Sequence, residues 1–364
     1  MAEERLIFVT SCAAGAAGAI TACRLNTGTG ALQVLQEYAD IENPFFLALS
    51  PDRKTLYSTH VPGDFESDTG YVAAFEIVGD SGEIKKRNEQ LANGTTTCYV
   101  DVDPSGQAAV VANYTSGSVG SYPLQADGAL GEMASFLQHQ GASMVDWNRQ
   151  EAAHAHCAVI SPSGKSMYAC DLGMDQVVGY GLDVGSATLT PLAQPYVRTI
   201  GGGGPRHFTY HPHGGYVYAN NELANSVNVY RHDEGAGVLV ELQVVSTLPD
   251  DFCDTSYTAD IKITPDGRFL YCSNRLHDSI AVYAIGGDGC LTLVEIAPSL
   301  AYMERAYDEA KYGDFSRRPF LNVVFPSLHD RSMAPPGKHV ASIFVQYAPY
   351  AIKEGPEHWP HRRE

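Results

Sequence analysis

Several things are scarce in this chain of 364 residues, and each scarcity excludes something. None of its eight cysteines (Cys12, Cys23, Cys98, Cys157, Cys170, Cys253, Cys272, Cys290) stands in C-x-x-C spacing with another, which leaves no zinc-ribbon or dithiol redox motif. No apolar run approaches the ~18 residues of a membrane-spanning helix. The opening Met1-Ala-Glu-Glu-Arg5 has no basic segment leading into an apolar one, so it does not read as a secretory leader. The cysteines are therefore expected as reduced thiols, half-buried in strands, in a cytoplasmic protein. Basic residues are few, with Lys+Arg 24 against Asp+Glu 42 and a net charge of −18. Nucleic acid and anionic membrane are excluded as partners, because both need a basic face. Charged residues of either sign make up 18%, below the usual ~25%.

Glycine (35 residues) and tyrosine (21) are plentiful, and 44% of the chain is hydrophobic, enough for a real core. The profile is that of a turn-rich β protein. Five segments share one turn chemistry: Ser50-Pro-Asp52, Asp103-Pro-Ser-Gly106, Ser161-Pro-Ser-Gly164, His211-Pro-His-Gly214 and Thr264-Pro-Asp-Gly267, with prolines 53, 58, 50 and 53 residues apart. Proline presets φ, and glycine accepts the φ > 0 position. A second turn recurs six times, at Gly28–Leu32, Asp80–Ile84, Asp127–Leu130, Gly185–Leu189, Gly235–Leu239 and Asp288–Leu291. Four short antiparallel strands repeating every ~50 residues predict an all-β fold, a β-propeller of four-stranded blades. The first unit begins at its second strand, near Leu6–Thr10. A strand from the C-terminus is expected to pair there, since an open edge invites aggregation.

Counting from each turn proline collects a candidate site. Position −6 holds Phe45, Cys98, His156, Arg206 and Ala259; position +10 holds Val61, Tyr114, Leu172, Glu222 and Arg275. The two positions are expected to face each other across a hairpin, at the channel end away from the turns. Four ionisable residues from three successive units thus gather where packing alone asks for bland ones. Arg206 and Glu222 also read as an ordinary cross-strand pair. His154 and His156 share a strand face, but no third ligand completes a metal site, so none is expected. Gly201–Gly204 lacks the strand-then-helix setting of a dinucleotide loop.

With those motifs in hand, residues 5–297 resemble the lactonase family of β-propellers. That family includes propeller-type 6-phosphogluconolactonases and fungal 3-carboxy-cis,cis-muconate lactonising enzymes. The resemblance rests on His154-Ala-His156, Asp171-Leu-Gly-Met-Asp175, Gly204-Pro-Arg-His-Phe208, Asn220-Asn-Glu-Leu223 and Ser273-Asn-Arg275. It implies a seven-bladed ring and a monomer that hydrolyses a small anionic lactone without metal or cofactor. It also implies His156 and Glu222 as catalytic residues, either of them as the base. Arg206, Arg275, His154 and His207 would bind substrate. The muconate-type cyclase is the runner-up, and a non-catalytic binding propeller or an inactive chimera is the alternative of another class. The pattern stops near residue 300. Residues 1–300 read as the propeller, lacking its last blade, and 301–364 as a foreign α/β tail with a helix over Tyr302–Tyr312. Residues 301–359 resemble an interior piece of phytoene-desaturase-like FAD-dependent oxidoreductases. The Gly-x-Gly-x-x-Gly unit is absent, so no flavin site is expected.

Overall fold

The computed structural model describes residues 4–250, 252–297, 320–324 and 342–346. Twenty-three strands precede residue 298, as the repeat arithmetic predicts. The first blade has three: β1 (Glu4–Ser11), β2 (Ala19–Asn26) and β3 (Leu32–Tyr38). Five four-stranded antiparallel blades follow. Blade 2 is β4 (Leu47–Leu49), β5 (Thr55–His60), β6 (Thr69–Val78) and β7 (Glu83–Thr95). Blade 3 is β8 (Thr97–Val102), β9 (Ala108–Asn113), β10 (Ser118–Pro123) and β11 (Ser135–Gln138). Blade 4 is β12 (Ala155–Ile160), β13 (Ser166–Asp171), β14 (Gln176–Asp183) and β15 (Thr188–Arg198). Blade 5 is β16 (Pro205–Tyr210), β17 (Tyr216–Asn221), β18 (Ser226–Asp233) and β19 (Val238–Ser246). Blade 6 is β20 (Tyr257–Ile263), β21 (Phe269–Arg275), β22 (Ser279–Ile285) and β23 (Leu291–Ala297). A separate pair, β24 (Phe320–Val324) and β25 (Ser342–Gln346), runs antiparallel. Among the described residues the only helical element is a 3-10 turn at Gly15–Ala17. The helix expected over 302–312 lies outside them.

The repeated turns behave as their chemistry dictates. Gly106, Gly164, Gly214 and Gly267 sit at φ +71° to +74°, and each N–H donates to the carbonyl three residues back. The first copy has Arg53 in this slot at φ 59°, closing the same bond to Ser50. An L side chain there is strained relative to glycine.

The expected facing partners are corrected. Position +10 faces position −8, not −6: Glu222 N–H bonds the Gly204 carbonyl, and Tyr257 pairs with Arg275. The hairpin register, in which −2 faces +5, accounts for one residue of the difference, and a β-bulge at the start of the inner strands accounts for the other. Pairing steps from Thr97 to Tyr99, from Ala155 to Cys157 and from Pro205 to His207. Cys98, His156 and Arg206 are the extra residues, and a bulge re-aims the side chain it inserts. Among the described residues β1 pairs only with β2, and β24 and β25 pair with each other; the rest of the C-terminal segment expected to close on residues 6–10 lies outside them. The cysteines divide as well. Cys23, Cys98, Cys157, Cys170 and Cys272 are buried in strands, whereas Cys12 and Cys253 are exposed in loops.

Blade-to-blade packing buries the residue six positions past each of the first four turn prolines. Tyr57, Val110, Tyr168 and Tyr218 are 0–2% exposed. Tyr57 and Tyr218 also donate their hydroxyls to the next blade, at Gly128 O and Gly289 O. Tyr271, the same position in blade 6, is 39% exposed, and Ile280, which shares its face of the blade, is 37% exposed. Blade 6 therefore buries one face against blade 5 and leaves the other open. Leu270→Ala, on the covered face, is expected to cost about 2–5 kcal/mol. Ile280→Ala, on the open face, is expected to cost under about 1 kcal/mol. Urea midpoints of the two variants check this; equal shifts would mean that the outer face is covered.

Candidate active site

The bulges and hairpin ends converge on a cavity of about 570 Å³ at the channel end away from the turns. Its wall includes His154, His156, Arg206, Glu222 and Arg275, so five of the six expected residues meet there. His207 does not reach the wall.

Glu222 is the electrostatic centre. Its side chain is 3% exposed and is faced by three guanidinium groups. Arg149 Nη2 donates to Oε1 at 2.7 Å. Arg206 Nε and Arg275 Nη2 each stand 2.9 Å from Oε2 as ion pairs. The Arg206 Nε–H is not aimed to make a hydrogen bond. A carboxylate shared this way lets three cations sit in one small cavity without unopposed repulsion.

Arg149 is the residue that sequence reasoning missed. It comes from the loop between β11 and β12, and it also donates to the Tyr114 hydroxyl at 3.2 Å. Its neighbour Gln150 is fully buried and anchors the loop, donating to Leu172 O at 2.8 Å and Asp175 Oδ1 at 2.6 Å. Asp175 also accepts from Gly202 N and Gly204 N. The glycine run thus serves a structural carboxylate. A signal for Arg149 existed: the 58-residue spacing between Pro104 and Pro162 is the longest of the four and contains this loop.

His156 makes no ring hydrogen bond among the described residues, and its Nδ1 is buried without a partner. Burial, then Arg206, His207 and Arg275, hold its pKa well below the usual 6.5, so the ring is neutral. His207 stands behind it, with ring centroids 5.3 Å apart. Burial lowers the His207 pKa to about 4. The neutral His207 ring donates from Nδ1 to Asp260 at 2.8 Å and turns Nε2 toward Arg206 Nη1 at 3.3 Å. Arg206 Nη1 also donates to Ala259 O at 2.6 Å. His154 lines the cavity, but both its ring nitrogens face acceptors, Tyr114 O at 3.1 Å and Glu151 at 3.0 Å.

A cavity uniting one neutral imidazole with clustered guanidiniums on propeller bulges matches known proteins. The sequence profile of the family described as "Lactonase, 7-bladed beta-propeller" matches residues 6–315. The chain belongs to the lactonase family. This lactonase-family chain is 35% identical over 311 residues to a 6-phosphogluconolactonase of Bacillus subtilis, covering 84% of this chain and 82% of that protein. It resembles the solved periplasmic gluconolactonase of Pseudomonas aeruginosa at TM-score 0.74 and 28% identity, covering 81% of this chain and 83% of the other. A solved protein from Lactobacillus plantarum matches at TM-score 0.72 and 29% identity, covering 97% and 98%. The profile runs past the boundary expected at residue 300. The resemblance of residues 301–359 to flavin oxidoreductases finds no counterpart in these matches.

Glu222→Ala leaves three cations facing one another. The expected destabilisation is about 3 kcal/mol, the low end for breaking a buried pair, because Arg149 and Arg275 keep partial access to water. Chemical denaturation checks this, and an unchanged midpoint would show that solvent already screens the cluster.

Proposed function

We propose that the cavity hydrolyses the internal ester of a phosphorylated sugar lactone, 6-phosphogluconolactone. The observation that carries this reading is the neutral His156 set among guanidiniums that already share their one buried carboxylate. The relatives named 6-phosphogluconolactonase support the substrate class.

In this reading His156 takes a proton from water as the water oxygen attacks the lactone carbonyl carbon. Arg206 stabilises the tetrahedral oxyanion, a charge that develops only in the transition state, and Arg275 binds the substrate. Collapse breaks the bond to the ring oxygen, which leaves as a hydroxyl with the proton from His156. The product is the open-chain hydroxy acid, which ionises. Only lactone and water are consumed, and no cofactor enters. Glu222 is a poor base here, because the guanidiniums occupy its oxygens; its role is to hold them in place. Buried thiols, none in a disulfide, fit a cytoplasmic setting.

The base works while its ring is neutral. Because the His156 pKa lies below 6.5, kcat/KM is expected to hold from neutrality through the ordinary histidine range and to fall only at lower pH. His156→Ala should lower kcat by about 10²–10⁴. Glu222→Gln should raise KM and keep the acidic limb. Wild-type turnover in His156→Ala would overturn the assignment, and loss of the limb in Glu222→Gln would make Glu222 the base.

A second part of the reading concerns the ring. Residues 301–364 are a segment foreign to the propeller, which is one blade short of seven. Its support is the loss of the repeated turn chemistry near residue 300 and the open face of blade 6. A chain ending at Leu300 should keep its fold and its turnover; loss of both would make 301–364 integral.

A further inference from the structure

Three arginines line the cavity, yet the lactone chemistry above needs cations at only one end of the substrate. Their exposure is graded. The Arg206 side chain is 11% exposed, against 33% for Arg149 and 46% for Arg275. Arg206 is also the one whose charge acts most strongly on His156. Arg149 and Arg275 form a separate pair. Each guanidinium carbon lies 5.7 Å from the centroid of the Tyr257 ring, and the two hold opposite oxygens of Glu222.

The donors are only partly used. Arg149 spends Nη2 on Glu222 and Tyr114, and Arg275 spends Nη2 on Glu222 and Thr258 O. Nη1 of each makes no hydrogen bond among the described residues. Two such nitrogens on a braced pair suit a phosphate, which accepts parallel N–H bonds from guanidinium forks. A strongly hydrated dianion is also better placed at the wetter end, where it keeps part of its water. Arg149 is the better braced of the two. Its Glu222 contact has full hydrogen-bond geometry, the Tyr114 hydroxyl holds the same nitrogen, and buried Gln150 fixes its loop.

We propose that Arg149, positioned by Tyr114 and paired with Arg275, is the specificity-determining residue that grips the phosphate of a phosphorylated sugar lactone, leaving Arg206 and His156 to the ester. This rests on the hydrolase reading above.

The test compares 6-phosphogluconolactone with unphosphorylated gluconolactone, and 6-phosphogluconate with gluconate as non-reacting ligands in calorimetry. Arg149→Ala should reduce the preference for the phosphorylated member about tenfold or more, in kcat/KM and in Kd alike. Arg149→Lys, which keeps charge and loses the fork, should fall between. Tyr114→Phe should move the ratio the same way by less, and it serves if Arg149→Ala folds poorly. An equal loss on both members of a pair, or no change in the ratio, overturns the proposal. The binding arm needs no turnover. If the wild-type protein hydrolyses neither lactone but prefers 6-phosphogluconate in an Arg149-dependent way, the hydrolase reading falls and the phosphate site stands.

Discussion

One extra residue at the start of the inner strands governs the chemistry of this propeller. An unbulged hairpin alternates its side chains between the two faces of a blade. The bulge breaks that alternation once per blade and brings Cys98, His156 and Arg206 to one cavity wall. Sheet pairing resumes within two residues, so the disruption stays local. The fold thus obtains Cys98, His156 and Arg206 from the inner strands of three blades, on backbone paired along one side to the second strand.

That rigidity creates an electrostatic problem, since neighbouring bulges and hairpin ends deliver like charges to one place. Glu222 resolves it by standing between three guanidiniums. Burial and two of these cations, Arg206 and Arg275, keep His156 neutral, and the Asp260–His207 pair supports Arg206 from behind. Stability and reactivity are therefore coupled. A change at Glu222 alters the charge that His156 experiences as well as the positions of the arginines.

Much of this was legible from spacing alone. Turn prolines set the register, and counting from them found His156, Arg206, Glu222 and Arg275 without any side-chain geometry. The count misjudged facing partners by two residues: the hairpin register accounts for one, and the bulge, which leaves no mark in turn spacing, for the other. It also missed Arg149, whose loop has no repeat to be counted against; only the long interval between Pro104 and Pro162 betrayed it. The family resemblance implied His207 as a binding residue beside Arg206. Adjacent strand residues point apart, and it supports the arginine instead. Ring closure was the least legible feature, since it depends on residues distant in sequence.

Asp175 ties together more than its modest sequence context suggests. One carboxylate accepts from Gln150 beside Arg149, and from Gly202 and Gly204 in the next blade's entry loop. Two loops that border the mouth are thereby fastened to a third point and to each other. Such a mouth has the mechanics of a fixed collar and not of a flap. Substrate and product would pass through a standing doorway, and turnover would be timed by bond breaking rather than by an opening movement.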